Sequence, residues 1–160
     1  MSEQKTNAMR VLDKAKIEYK MYTYDHSGGA IDGAAVAAKL GQNPAEVFKT
    51  LVTQGADKNY YVFAIPVLAE LDLKKAAKAV GAKSVEMIHV ADINKVTGYI
   101  RGGCSPVGMK KQYKTVFDAS ALNLPIIIVS GGRIGTQIAL APHALISFVR
   151  GEVCDIVKEM

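Results

Sequence analysis

The chain has 160 residues, with 20 Lys and Arg against 15 Asp and Glu for a net charge of +5, 49% hydrophobic and 22% charged. These are the proportions of an ordinary soluble globular protein, and the length reads as one domain, 1–160, able to bury its own core. Trp is absent and aromatics reach only 7%, which argues against a broad base-stacking platform, while the mild positive charge suits a polyanionic partner without requiring one.

The start, Met1 to Lys5, runs into a charged helical pattern with no apolar segment, so no signal peptide is expected. Behind Asn7, read as an N-cap, Ala8, Met9, Leu12 and Ala15 recur at helical spacing. Tyr19–Tyr24 reads as a strand. Asp32 can cap the alanine-rich helix Gly33–Leu40, which Gly41 stops, and Asn43-Pro44 opens another helical turn. Val47–Gln54 and Asn59–Pro66 are β-rich and flank a hairpin loop at Gly55–Lys58. The longest apolar run, Tyr60–Ala69, contains Pro66 and falls short of the ~18 residues a membrane span needs. Asp72 caps the helix Leu73–Val80, ended by Gly81, and Val90–Thr97 is a further short helix closed by Gly98. Thr115–Asp118, Ile126–Ser130 and Thr136–Leu140 read as strands, and a last helix starts at Pro142. No regular βαβ rhythm emerges, so the expected class is α+β, with a mixed, curved or barrel-like sheet flanked by short helices.

Three places could hold chemistry. Lys49 lies in a strand where alternation groups it with Val47 and Leu51, opposite Phe48 and Val52. An ammonium in such a run must meet an anion or line a cavity, unless the strand is an edge from which the stem reaches water. Gly98–Lys111 holds paired glycines, Gly102 and Gly103, whose backbone can approach a ligand. The run is also an ordinary long turn, and Met109 stands where a P-loop needs lysine. Ser130-Gly131-Gly132-Arg133-Ile134-Gly135 follows an apolar strand as a candidate ligand loop or a plain hairpin.

Other chemistries find little support. His26, His89 and His143 are scattered without metal-ligand spacing, so no metal or cofactor is expected. Ser105 has no evident His or Asp partner. Cys104 sits near Arg101 and lysines that could lower its pKa, yet a lone Cys in such a loop is more often a packing residue. With only Cys154 besides, a disulfide framework is ruled out and a reduced, cytoplasmic location is the simpler reading. The lysines at 74, 75 and 78 read as solvated surface, with weak phosphate contact as the lesser reading.

Taken in order, Thr23-Tyr24-Asp25-His26, Val47-Phe48-Lys49-Thr50-Leu51, Leu73-Lys74-Lys75-Ala76-Ala77-Lys78, Thr97–Lys111 and Val129–Arg133 resemble the YbaK/EbsC family of Cys-tRNA(Pro)/Cys-tRNA(Cys) deacylases. The family is similar to the editing domain of bacterial prolyl-tRNA synthetases. The resemblance implies a trans-editing hydrolase that acts on the aminoacyl 3′ end of tRNA, in transient contact with prolyl-tRNA synthetase and without a membrane. It places Lys49 at the centre of the active site and Tyr24 in the same pocket. The Gly102-Gly103 and Ser130-Gly131 backbones would hold the ribose and the aminoacyl carbonyl. Arg101, Lys110, Lys111 and Arg133 are the expected tRNA contacts. The substrate's own thiol would be the nucleophile, which fits the missing triad. Two departures from the family pattern stand out: Ile134 replaces a second basic residue, and no acid stands near Ala139. A deacylase for alanine or serine, and a non-catalytic tRNA-binding module, are the alternatives.

Overall fold

The computed structural model describes residues 5–25 and 33–159. Helix α1 (Asn7–Lys14) is capped by Thr6 and not by Asn7. The Thr6 hydroxyl accepts from the Met9 N–H at 3.2 Å and donates to the Gly131 carbonyl. That long-range bond holds Thr6 in the extended conformation a cap needs. Asn7, one residue inside, instead donates to the Gly108 carbonyl at 3.0 Å.

Two sheets build the domain. The first is antiparallel, in the order β1 (Lys20–Thr23), β7 (Thr136–Leu140), β6 (Ile127–Arg133). The second is mixed, with β2 (Phe48–Gly55) and β3 (Tyr60–Pro66) forming the expected hairpin. Its order is β4 (Val85–Met87), β2, β3, β5 (Lys114–Asp118), β8 (Glu152–Cys154), and β5 runs parallel to both β3 and β8. A parallel bridge between Val47 and Ile128 stitches the sheets together. The α+β class and the mixed sheet are as expected, but nothing closes the strands into a barrel among the described residues. Ser130–Arg133 also departs from expectation: it continues β6 through a bulge and is not a free loop.

Helix α2 (Gly33–Leu40) ends at Gly41 as expected, while Asp32, its expected cap, and His26 lie outside the described residues. Asn43 caps a 3-10 turn at Pro44–Glu46. Helix α3 (Leu73–Val80) is capped by Asp72, whose side chain accepts from Lys74 and Lys75, and ends at Gly81 in the left-handed region. Val90–Asp92 forms a 3-10 turn before α4 (Ile93–Thr97), and α5 (Pro142–Phe148) begins at its proline. Among the described residues no helix is long and apolar enough to cross a membrane.

The main core lies between α1, α5 and the inward faces of both sheets, around Phe48, Phe117, Ile127, Val129, Ile138 and Leu145. Helix α3 covers a second cluster containing Phe63 and Ile65. A small third cluster, Val47, Ile128, Ala139, Ala37 and Val67, sits on the outer face of the first sheet where the two sheets meet. That third cluster is the floor of the site.

Candidate active site at the junction of the two sheets

Strand alternation fixes what stands above that floor. Two residues along the chain from Val47, Ile128 and Ala139 come Lys49, Ser130 and Gln137, which therefore share their face. Ser130 and Gln137 are directly paired across β6 and β7, and Tyr22 pairs with Gln137 on the other side. The parallel Val47–Ile128 bridge brings Lys49 to the level of Ser130. The Tyr24 N–H donates to the Gly135 carbonyl at 3.0 Å, which holds Tyr24 at the rim. Lys49, Ser130, Gln137 and Tyr24 line one cleft of about 680 Å³, together with Thr50, Arg101, Gly102 and Cys104.

Of the residues singled out in the sequence, Lys49, Tyr24, Gly102, Ser130 and Arg101 meet in this cleft. Gly103 and Gly131 lie just behind it, both buried. A Cβ on Gly103 would stand 2.9 Å from the Arg133 Cα and 3.0 Å from the Ile134 nitrogen, so this glycine presses one loop against the other. Its N–H donates to the Ile100 carbonyl at 2.9 Å and is therefore occupied. Lys110 and Lys111 are exposed and outside the cleft lining, and the Arg133 Nε donates to the Thr136 hydroxyl at 3.1 Å.

The two cations of the cleft face no acid there: among the described lining residues there is no Asp, Glu or His. Lys49 has no carboxylate partner among the described residues and is half-buried; it pairs with Ile65 of β3, and β4 joins β2 only at Thr53–Gly55. Such a site favours an anion or a group that becomes one.

Residues 30–148 match the family described as the aminoacyl-tRNA editing domain. The chain belongs to that family. A protein of Enterococcus faecalis (strain ATCC 700802 / V583), EbsC, named as a candidate Cys-tRNA(Pro)/Cys-tRNA(Cys) deacylase, is 48% identical over 158 residues. The match covers 99% of this chain and 96% of that protein. Two solved structures share the fold at 21% identity. The hypothetical protein APE2540 has a TM-score of 0.86, over 96% of this chain and 100% of its own. A candidate trans-editing enzyme for prolyl tRNA synthetase has a TM-score of 0.82, over 98% and 100%.

In this editing domain the Gly98–Lys111 segment is held by its own side chains. Tyr99 is buried and its hydroxyl donates to the Val107 carbonyl at 2.5 Å; burial pushes its pKa up to about 12. Ser105 is fully buried and its hydroxyl accepts from the Val107 N–H at 3.2 Å, which makes it a turn residue. Cys104 does not show the lowered pKa that Arg101 and the lysines could have given it. Burial pushes its thiol up to about 11, and the nearby cations do not bring it down. At neutral pH it is a protonated thiol.

Several lining residues carried no sequence signal by themselves. Thr50 follows Lys49, and its buried hydroxyl has no hydrogen-bond partner among the described residues. Gln137 is 6% exposed and stands opposite Ser130. Pairing β6 with β7 in register would have found Gln137, and neither strand alone could. The two departures from the family pattern fall differently: Ala139 is in the apolar floor beneath the cleft, and Ile134 backs Gly103.

Proposed function

We propose that this editing domain is a free-standing deacylase that removes cysteine from mischarged Cys-tRNA(Pro), using the substrate thiol as nucleophile. The observation that carries the reading is the cleft itself: a half-buried lysine and an arginine, side-chain hydroxyls, and no described acid or imidazole. Donors of this kind stabilise an oxyanion but supply no base or nucleophile. The thiol of a cysteinyl ester is already positioned on its own carbonyl, and intramolecular attack supplies a large effective molarity. Sulfur bonds to the carbonyl carbon, the ester C–O bond breaks, and the proton passes to the 3′-oxygen of the tRNA. Water then opens the cyclic thioester.

In this scheme Lys49 holds the ester end and the terminal adenosine, and Tyr24 borders the same space. Gly102 and Ser130 line the ribose and carbonyl positions, with Gly103 keeping the two segments in contact behind them and Gly131 packed against Thr136 and Met9. Arg101, Lys110, Lys111 and Arg133 are assigned to tRNA phosphates, which predicts weak, salt-sensitive binding. The similarity to EbsC supports cysteine as the amino acid. A transient complex with prolyl-tRNA synthetase and a cytoplasmic location complete the assignment, since mischarged tRNA is made there.

The test compares single-turnover cleavage of Cys-tRNA(Pro), Ala-tRNA(Pro), Ser-tRNA(Pro) and S-alkylated Cys-tRNA(Pro). Cysteine should be removed much faster than the others, and alkylation should slow cleavage severely. Equal cleavage of native and alkylated esters would assign the attack to water. Cleavage of none would make the chain a tRNA-binding module.

A further inference from the structure

The Gln137 carboxamide stands in the polar layer of the cleft with no role assigned above. Its side chain shares a face with Ser130, its partner across the strands, and with Lys49 at the same level. A side chain this deeply buried normally uses both halves of its carboxamide. Here one half is used: Oε1 accepts from Gln42 Nε2 at 2.8 Å. The Nε2 of Gln137 has no acceptor among the described residues. Gln42 is itself fixed, because its N–H closes the end of α2 on the Ala37 carbonyl at 2.8 Å. Its Oε1 is buried and has no partner among the described residues.

We infer that Gln42 is a positioning residue that locks the Gln137 carboxamide with its N–H group toward the cleft, where Gln137 donates to an oxygen of the aminoacyl ester. The inference deepens the deacylase reading and rests on it. Lys49, the Ser130 hydroxyl and Gln137 Nε2 then make one donor layer, and the ligand such a layer favours is an ester carbonyl that becomes an oxyanion. The bond from Gln42 decides the polarity: were its partner atom an acceptor, Gln137 would turn its N–H group inward and present an oxygen to the oxyanion.

Substitutions at Gln42, which does not line the cleft, isolate that polarity. Gln42→Lys keeps a donor against Gln137 Oε1, and the half-buried position can carry the charge. Gln42→Glu supplies an acceptor and reverses Gln137. Single-turnover and steady-state deacylation of Cys-tRNA(Pro) should fall at least about tenfold in Gln42→Glu, through kcat more than KM, because the oxyanion exists only in the transition state. Gln42→Lys should stay within about threefold of the parent, a split that a purely structural role would not produce. Gln137→Met, which has no donor, should lose activity like Gln42→Glu, and it provides the same test if Gln42→Glu does not fold. A folded Gln42→Glu or Gln137→Met with parental kcat, or Gln42→Lys no better than Gln42→Glu, overturns the inference alone. A parent that cleaves no aminoacyl-tRNA overturns the deacylase reading and this inference with it.

Discussion

Gly103→Ala tests whether the cleft depends on two segments pressed together behind it. The new Cβ would meet the Arg133 Cα at 2.9 Å, the Arg133 carbonyl carbon at 3.0 Å and the Ile134 nitrogen at 3.0 Å. All three are backbone atoms, so no rotamer change relieves the contact. Ordinary carbon contacts lie at about 3.5–4.0 Å, and the segments must therefore part by roughly half an ångström or more. Gly103 is outside the left-handed region, so crowding is the whole effect. Overpacking of this kind costs about 1–3 kcal/mol. At about 2–4 °C per kcal/mol for a chain of this size, the melting midpoint should fall by about 2–12 °C. Activity should fall further than stability, because Gly102 lines the cleft next door and a misplacement near 1 Å can cost about a hundredfold. Gly81→Ala is the control: its φ of 73° strains an alanine, yet nothing lies within 4 Å and it sits at the end of α3. It should lose about 1 kcal/mol and keep its deacylation rate. Calorimetry and single-turnover assays on both variants decide the matter. A Gly103→Ala protein that melts and cleaves like the parent would refute the contact.

Three further outcomes are expected. Lys49→Ala should lower deacylation by about a hundredfold or more while the melting midpoint holds, and near-parental turnover by the folded variant would remove Lys49 from the chemistry. Thr6→Val removes both the α1 cap and the donor to the Gly131 carbonyl and should cost about 1–3 kcal/mol by thermal melting, with Thr6→Ser close to the parent. With its thiol pushed from 9.0 to about 11, Cys104 should alkylate roughly a hundredfold more slowly at pH 8 than a free thiol, and exposed Cys154 should be labelled first by mass spectrometry. The folded state holds that proton more tightly than the unfolded chain, so the contribution to stability is complete below about pH 9 and is lost as pH rises to about 11. Cys104→Ala should flatten that part of the pH–melting curve.

Much of the architecture was legible where its cause is local. Asp72 and Gly81 bound α3 because a carboxylate reaches two adjacent N–H groups at one end and a left-handed residue closes the other. The β2–β3 hairpin follows from alternation around Gly55–Lys58. What escaped was decided by partners distant in the chain. Strands β4 and β8 are three residues long and exist by pairing with β2 and β5. Thr6 and Asn7 are equally competent caps, and the choice falls to a carbonyl at Gly131. Cys104 has Arg101 and lysines near in sequence, yet burial governs its proton, in line with the packing reading. In the site, Lys49 was visible as a lysine out of place in an apolar strand, whereas Gln137 becomes visible only once β6 and β7 are in register.

The placement of the cleft has a physical reason that joins these points. A strand repeats every two residues, so each strand passing the sheet junction contributes one residue to the apolar floor and the next on that face to the layer above. Val47, Ile128 and Ala139 make the floor; Lys49, Ser130 and Gln137 make the layer. A slip of one residue in any strand would bury its polar group in the main core and expose an apolar one, and the third cluster penalises that slip directly. Packing of the floor is thus what holds the donors in line. It also explains why the two departures from the family pattern are not equivalent. Ala139 bears on the floor and can alter the cleft only by shifting it, whereas Ile134 touches the backbone pressed against Gly103, where a change moves the rim itself.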